Sequence, residues 1–237
     1  TRSYSVTGVQ TFALPIFWIE NGISVYGGVL DIPGSPAPLG QVSGILGIVT
    51  LWMMMGDACR ILAREGRPVP VRGDEPERSG SDGSVNLESP LLDDYYRAVT
   101  ERIRMIGAEA GDIARAASMA VDSVLSGGKV YCYGRYYDTL PVEAKTRRSG
   151  LALLNDLSDR DGVLTVSGKA FEGSPRDLVI MGVYSPDDET DLRHLDTIRR
   201  MGSKIISIGP MNRDMRIPEG RTVPKETDVH LGRSYDT

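Results

Sequence analysis

Histidine and cysteine are both scarce in this chain, which has two of each among its 237 residues. Cys59 and Cys132 lie far apart and match no spacing typical of a metal site or a disulfide framework. A histidine-based metal site is also disfavoured, because the sequence has only two histidines, His194 and His230. We therefore expect no bound metal, and the low cysteine content fits a reducing cytoplasm.

A basic surface and a dinucleotide-binding glycine pattern are also missing. The net charge is −5, whereas domains that bind nucleic acid favour a basic face. The pattern G-x-G-x-x-G is absent after the strand candidate "KVYCYG", which argues against a nicotinamide cofactor. We expect no cofactor and no nucleic-acid partner.

Long apolar runs are limited to "SGILGIVTLWMMMG", residues 43–56, which carries no charge. A membrane-spanning helix needs about 20 such residues, and this run meets Asp57, Arg60 and Arg64 soon after it ends. We interpret it as a buried helix that becomes amphipathic and ends at Gly66. This interpretation implies no membrane partner.

Composition divides the chain into four parts. Residues 1–16 have no helical or strand period and resemble a translated sequencing adapter, so we treat them as an artefact or a disordered tail. Residues 17–66 hold a strand candidate, "ISVYGGVL", and the long helix. Residues 67–88 are rich in proline, glycine, serine and charge and predict a linker. Residues 89–237 have a regular pattern.

Strands and helices alternate in this regular region. Strands are predicted at "KVYCYG", "RDLVIMGVY", "SKIISIG" and "ETDVHL", with helices before and between them. This alternation indicates a parallel sheet with right-handed crossovers, hence an α/β layered domain. Because ligands bind at the carboxyl ends of such strands, we direct attention to the loops 134–139 and 184–190.

Two of the helices have apolar positions that we expect to face the core. Gly127 and Gly128 are predicted to end the first helix, and "SPDDETDLRHLDTIRRMG" predicts the second. The expected inward residues are Ile113, Ala117, Ala120, Val121 and Val124 in the first helix and Leu192, Leu195 and Ile198 in the second.

The order of these elements resembles the sugar isomerase (SIS) domain family over residues 89–237. The resemblance is carried by the order of four segments: two leading helices, then "GGKVYCYG", then a helix with "EAKTRRSGL", and then "RDLVIMGVYSPDDETDLRHLDTIRRMGSKIISIG". It implies a doubly wound parallel sheet with flanking helices that binds a phosphosugar or a related anionic carbohydrate derivative. Some members interconvert aldose and ketose phosphates, and members pair as tandem domains or homo-oligomers.

Residues 17–66 resemble the end of another SIS copy. We therefore expect a fragment of a tandem protein whose second copy, residues 89–237, is truncated at its C-terminal end. On this interpretation the helix 43–65 packs on the second copy, with contacts from Ile48, Leu51 or Met55.

The second loop departs from the family pattern Ser-x-Ser-Gly-x-Thr, which holds a phosphate. Ser185 and Thr190 match it, but Asp187 and Asp188 replace the inner Ser and Gly. Two carboxylates repel a dianion, at a cost on the order of 4 kcal/mol for each contact at about 4 Å. We favour the alternative that Ser185 caps the helix, with Pro186 at its first position.

The first loop retains only one glycine of the family's Gly-x-Gly-x-Ser. An arginine there could bind a phosphate or carboxylate in a bidentate manner, and its tyrosines could stack on a sugar or instead pack in the core. Thr139 offers a hydroxyl group that could hydrogen-bond a ligand. The candidate ligand-binding residues of this loop are Gly134, Arg135, Tyr136, Asp138 and Thr139.

Isomerisation needs a base, and Glu143 matches a frequent glutamate of the family. The alternative role of Glu143 is an ion pair with Lys145 or Arg147. We expect His194 to be solvated and His230 to lie in a strand. We therefore expect a chain that binds a phosphosugar or a related anionic metabolite, with aldose–ketose isomerisation as an activity that the two loops do not support. The alternative is a non-catalytic regulatory or assembly module.

Overall fold

The computed structural model describes residues 28–31, 33–34, 39–67, 91–135, 140–142, 153–183, 185–209 and 221–232. The N-terminal stretch 1–16 and nearly all of the expected linker 67–88 lie outside this part of the chain. The helix expected around Glu143 is described only as a helical turn at 140–142.

The region before the linker forms a small hairpin and one long helix. Strand β1 (Gly28–Leu30) is the described end of the expected strand and pairs antiparallel with β2 (Leu39–Gln41). Helix α1 (Ser43–Arg64) follows and ends before Gly66, whose φ of +65° favours glycine. The expected helix and its end are therefore confirmed.

The second region is mixed α/β around a seven-stranded, mostly parallel sheet. Its order is β6-β5-β4-β3-β7-β8-β9, in which β4, β3, β7, β8 and β9 are parallel and β5 and β6 are antiparallel to their neighbours. The strands span Val130–Gly134 (β3), Leu154–Arg160 (β4), Val163–Val166 (β5), Lys169–Ala170 (β6), Leu178–Gly182 (β7), Lys204–Ile208 (β8) and Val229–Leu231 (β9).

The predicted strands "KVYCYG", "RDLVIMGVY" and "SKIISIG" are confirmed as β3, β7 and β8, and "ETDVHL" contains β9. Their runs of branched and aromatic residues are buried because both faces of the sheet are covered. Along the chain the parallel strands occupy positions 2-1-3-4-5, so the direction of winding reverses between β3 and β7.

Strand β4 and the hairpin strands β5 and β6 were not predicted from the sequence. Two tight turns connect these three strands, at Asp161-Gly162 and Ser167-Gly168. All four turn residues have positive φ, between 52° and 83°, as two-residue hairpins require. The strand pattern of β4, "LNDLSDR", is too polar to be recognised without these turns.

Helices cover the two faces of the sheet. Helix α2 (Leu91–Gly107) precedes α3 (Ala110–Leu125), while α4 (Glu189–Arg200) follows β7 and the short α5 (Val223–Glu226) precedes β9. Tyr131 and Tyr133 of β3 pack on the face that α4 covers, and Val130 packs on the face that α3 covers. Alternate residues of β3 thus contribute to separate apolar clusters.

Only one of the two predicted helix faces is correct. Leu195 and Ile198 of α4 are fully buried, as predicted. In α3 the buried residues are Ala116 and Ser123, whereas Val121 and Val124 are exposed, so the predicted face is wrong except at Ala120, which packs partly buried against the core. Small side chains allow α3 to approach the sheet closely, and Ser123 Oγ donates to the Arg176 carbonyl oxygen at 2.7 Å.

Helix α1 packs against α2 and keeps much of its apolar surface exposed. Leu91 Cβ lies 4.0 Å from the point that a Cβ on Gly56 would occupy. Ile48, Leu51 and Met55, the expected contact residues, are between 43% and 54% exposed. The expectation of a buried helix is therefore wrong within the described chain. By length and composition alone α1 is able to cross a membrane, which is weak support for such a role.

Gly128 is expected to tolerate no side chain, because an added Cβ would lie 2.1 Å from the Arg176 carbonyl oxygen. Gly128→Ala should lower the free energy of unfolding in urea by about 1–3 kcal/mol. Gly111→Ala is the control, since no atom lies within 4 Å of its added Cβ. That change in a helix should be neutral or stabilise by up to about 1 kcal/mol, and equal losses would contradict the described packing.

Candidate functional site

The candidate site lies where the winding of the sheet reverses, at the carboxyl ends of β3 and β7. The last residues of these strands, Gly134 and Gly182, are direct neighbours in the parallel register. In doubly wound sheets, such a reversal opens a crevice between the loops that follow the two strands. Arg135 enters this crevice from β3, and the N-terminus of α4 enters it from β7.

Asp188 is the N-cap of α4. Its Oδ1 accepts hydrogen bonds from the backbone N–H groups of Thr190, at 2.9 Å, and Asp191, at 3.0 Å. The expected cap, Ser185, instead donates its hydroxyl to Asp187 Oδ1 at 2.6 Å. A capping role for this loop is therefore correct, but its residue is Asp188, three positions later than predicted.

Arg135 binds the capping carboxylate from the opposite side. Its Nη2 donates to Asp188 Oδ2, and its Nε lies 3.9 Å from Asp191 Oδ1. Both carboxylates are largely buried, and Arg135 is 27% exposed. One guanidinium thus lies between two carboxylates at the start of α4.

Asp191 is a buried carboxylate whose hydrogen bonding is incomplete. It is 1% exposed, and Tyr133 donates its hydroxyl to Asp191 Oδ1 at 3.3 Å. Its Oδ2 has no hydrogen-bond partner among the described residues. Burial first and the neighbouring Asp188 second raise the pKa of Asp191 to about 6, despite the opposing effect of Arg135.

His194 and Asp159 extend this cluster beneath α4. His194 is 2% exposed, so the expectation that it is solvated is wrong. Its Nε2 lies 3.0 Å from Asp159 Oδ2, and its ring meets Tyr133 edge-on at 5.4 Å. Burial acts to raise the pKa of Asp159, but hydrogen bonds from His194 and the Gly162 N–H outweigh it and lower the pKa.

The structure brings together only some of the predicted site residues. Four of them border the crevice, namely Gly134, Arg135, Ser185 and Thr190. The Thr190 hydroxyl, however, already accepts a hydrogen bond from Arg193 at 2.9 Å. The other candidates lie outside the described residues; these are Tyr136, Asp138, Thr139 and Glu143.

Sequence reasoning missed Tyr133, Asp159 and Asp191 as members of this cluster. A usable signal was the spacing of three positions from Asp188 to Asp191 and from Asp191 to His194, which places these side chains on one side of α4. Asp159 had no such signal, because it belongs to the unrecognised strand β4.

A second polar cluster joins β8, β9 and the turn before β9. The Ser207 hydroxyl lies 2.7 Å from His230 Nδ1 and 2.9 Å from Thr227 Oγ1. Burial lowers the pKa of His230, which keeps this imidazole neutral. His230 lies in β9, as predicted, and Ser207 is fully buried, so we interpret the cluster as a packing contact.

No protein-family model matches the chain, and no curated protein matches it. The SIS resemblance therefore stays an expectation drawn from the sequence.

The raised pKa of Asp191 predicts a pH-dependent effect of Asp191→Asn. The folded state binds this proton more tightly than the unfolded chain does, so ionised Asp191 lowers stability as pH rises from about 4 through 6. Asparagine removes that ionisation. The unfolding free energy of the variant minus that of the wild type should increase between pH 4.5 and pH 7.5 by about 2 kcal/mol.

The control for this comparison is Asp156→Asn, which removes an exposed carboxylate from β4. Urea unfolding of all three proteins at the two pH values measures the effect. A difference between Asp191→Asn and wild type that does not change with pH would contradict a raised pKa.

Proposed function

We propose that the crevice at β3 and β7 binds an anionic metabolite of the phosphosugar class, in the position that the Asp188 carboxylate holds. The observation that supports this is the convergence of three donors on one carboxylate: the Arg135 guanidinium and the backbone N–H groups of Thr190 and Asp191. The same three donors would suit an anionic group of an external ligand as they suit the carboxylate of Asp188.

This arrangement has the two components of a phosphate site. The N-terminus of a helix offers unpaired N–H groups and a positive end of the helix dipole. A guanidinium offers a pair of donors that match two oxygens of a phosphate or carboxylate. An external anion would have to displace Asp188, and that competition lowers the affinity of the wild-type site.

Asp191 adds a second constraint on the ligand. Its carboxylate is fixed beside Arg135 by the Tyr133 hydroxyl and has one oxygen without a partner among the described residues. This oxygen is shielded from solvent, so a ligand hydroxyl could donate to it only after the ligand had displaced the Asp188 carboxylate. A sugar phosphate carries hydroxyl groups beyond its phosphate that could make this contact.

The proposal is one of binding and includes no catalytic step. Asp191 has a pKa suited to a general base, but it is almost completely buried. Isomerisation of a sugar phosphate through Glu143 stays a prediction of the SIS resemblance. The alternative function, a regulatory or assembly module, is favoured by the occupation of the anion position by Asp188 itself.

Replacing Asp188 should strengthen binding of sugar phosphates. Asp188→Asn keeps an oxygen that can cap α4 and removes the charge that holds Arg135. By isothermal titration calorimetry, we expect Asp188→Asn to bind fructose 6-phosphate or glucose 6-phosphate at least about tenfold more tightly than wild type, a gain of about 1.4 kcal/mol.

Asp187→Asn is the matched control. It removes an equal charge from the neighbouring residue, which is exposed and bonds Ser185, so it should change affinity little. Adding Arg135→Ala to Asp188→Asn should abolish the gain. A folded Asp188→Asn protein that binds neither sugar phosphate would contradict this proposal and favour the regulatory or assembly module.

A further inference from the structure

Six apolar residues of α1 follow a heptad spacing, while Leu46, Leu51, Met54 and Ile61 are exposed outside it. Steps of three and four residues alternate along the helix, which is the spacing of a seam between packed helices. Four of the six positions are between 43% and 56% exposed, and the other two are partly exposed. These positions, named here the α1 seam, are Ile45, Ile48, Trp52, Met55, Cys59 and Leu62.

Helix α2 carries a seam of the same kind. Its positions are again separated by alternating steps of four and three residues, and no residue of α2 is fully buried. Three of them are between 56% and 59% exposed. The α2 seam consists of Leu92, Tyr96, Val99, Ile103 and Ile106.

Because α1 and α2 pack against each other, the two seams belong to one helix pair in which both helices keep apolar side chains exposed. Seven side chains of these seams are about half exposed, and each leaves on the order of 100 Å² uncovered. Together they provide roughly 700 Å² of apolar surface. A standard protein interface buries about 800 Å² on each partner, so the surface is large enough for a stable dimer.

Charge distinguishes a protein partner from a lipid bilayer. Helix α2 contains three acidic and three basic residues, among them Asp94 and Arg97, which form an ion pair. A helix with six charges that packs along α1 excludes α1 from the hydrocarbon region, where charged side chains are costly. The same balance of charges gives no net repulsion between two copies of α2.

We propose that the α1–α2 pair packs against the α1–α2 pair of a second copy of this chain, forming a four-helix bundle about a two-fold axis. Two-fold association is the arrangement in which one self-complementary surface covers itself. Bundles of this kind are built from heptad seams on adjacent helices. The bundle buries the α1 and α2 seams and leaves the crevice at β3 and β7 unchanged.

Two adjacent methionines provide a sharp test. Met55 lies in the α1 seam and is 43% exposed, whereas Met54 is 52% exposed and lies outside the seam. Sedimentation velocity of the full chain should show a concentration-dependent dimer. Met55→Glu should raise the dimer dissociation constant by roughly thirtyfold or more, whereas Met54→Glu, with the same charge change in the same helix, should leave it unchanged.

Ile103→Glu, in the α2 seam, should also dissociate the dimer. Far-UV circular dichroism of each variant separates lost association from lost folding, because an intact helix signal with a monomer mass is the expected result. A monomeric wild-type chain, or equal effects of Met54→Glu and Met55→Glu, would overturn the proposal. So would binding of the wild type to phosphatidylcholine–phosphatidylglycerol vesicles in place of self-association.

Discussion

Strand β3 is paired in parallel on both sides and covered on both faces, and the positions of the other parts of the second region depend on it. Its residues Val130 and Tyr133 pack into opposite apolar clusters. Its pairing with β4 and β7 fixes the two strands between which the winding reverses. The chain therefore leaves β3 at the point where the N-terminus of α4 arrives, and Arg135 meets Asp188 there as a direct consequence.

The charged cluster above β3 combines stabilising and destabilising contributions. Removing charged groups from water is costly, and a buried ion pair compensates for this only when its remaining hydrogen bonds are satisfied. The Asp188 carboxylate is satisfied by Arg135 and by two backbone N–H groups at the start of α4. Asp191 is not, because its Oδ2 has no hydrogen-bond partner among the described residues. A fold built only for stability would place an apolar residue or asparagine at this position, so Asp191 is the residue whose presence most calls for a functional explanation.

The parts of the fold that are governed by local apolar pattern were predictable, and the parts governed by contacts between distant residues were not. The buried strands β3, β7 and β8 and the inward side of α4 follow from runs and periods of apolar residues. The packing side of α3 does not, because the helix meets the sheet through the small residues Ala116 and Ser123. His194 was misjudged for a related reason: its partner Asp159 lies in a polar strand that only the Asp161-Gly162 turn indicates. At the site, the sequence predicted Arg135 as a ligand-binding residue. Its position between two carboxylates was not predictable, because that position depends on the order of strands in the sheet.

The outermost strands of the sheet are short. β6 has two residues and includes Lys169, and β9 has three. Such strands offer few unpaired backbone groups, and an edge lysine opposes a continuous line of hydrogen bonds to another chain. The sheet is therefore poorly suited to β-augmentation by peptides and to edge-to-edge aggregation. Within the described residues, the crevice and the apolar seams lie on helices and loops rather than on the edges of the sheet.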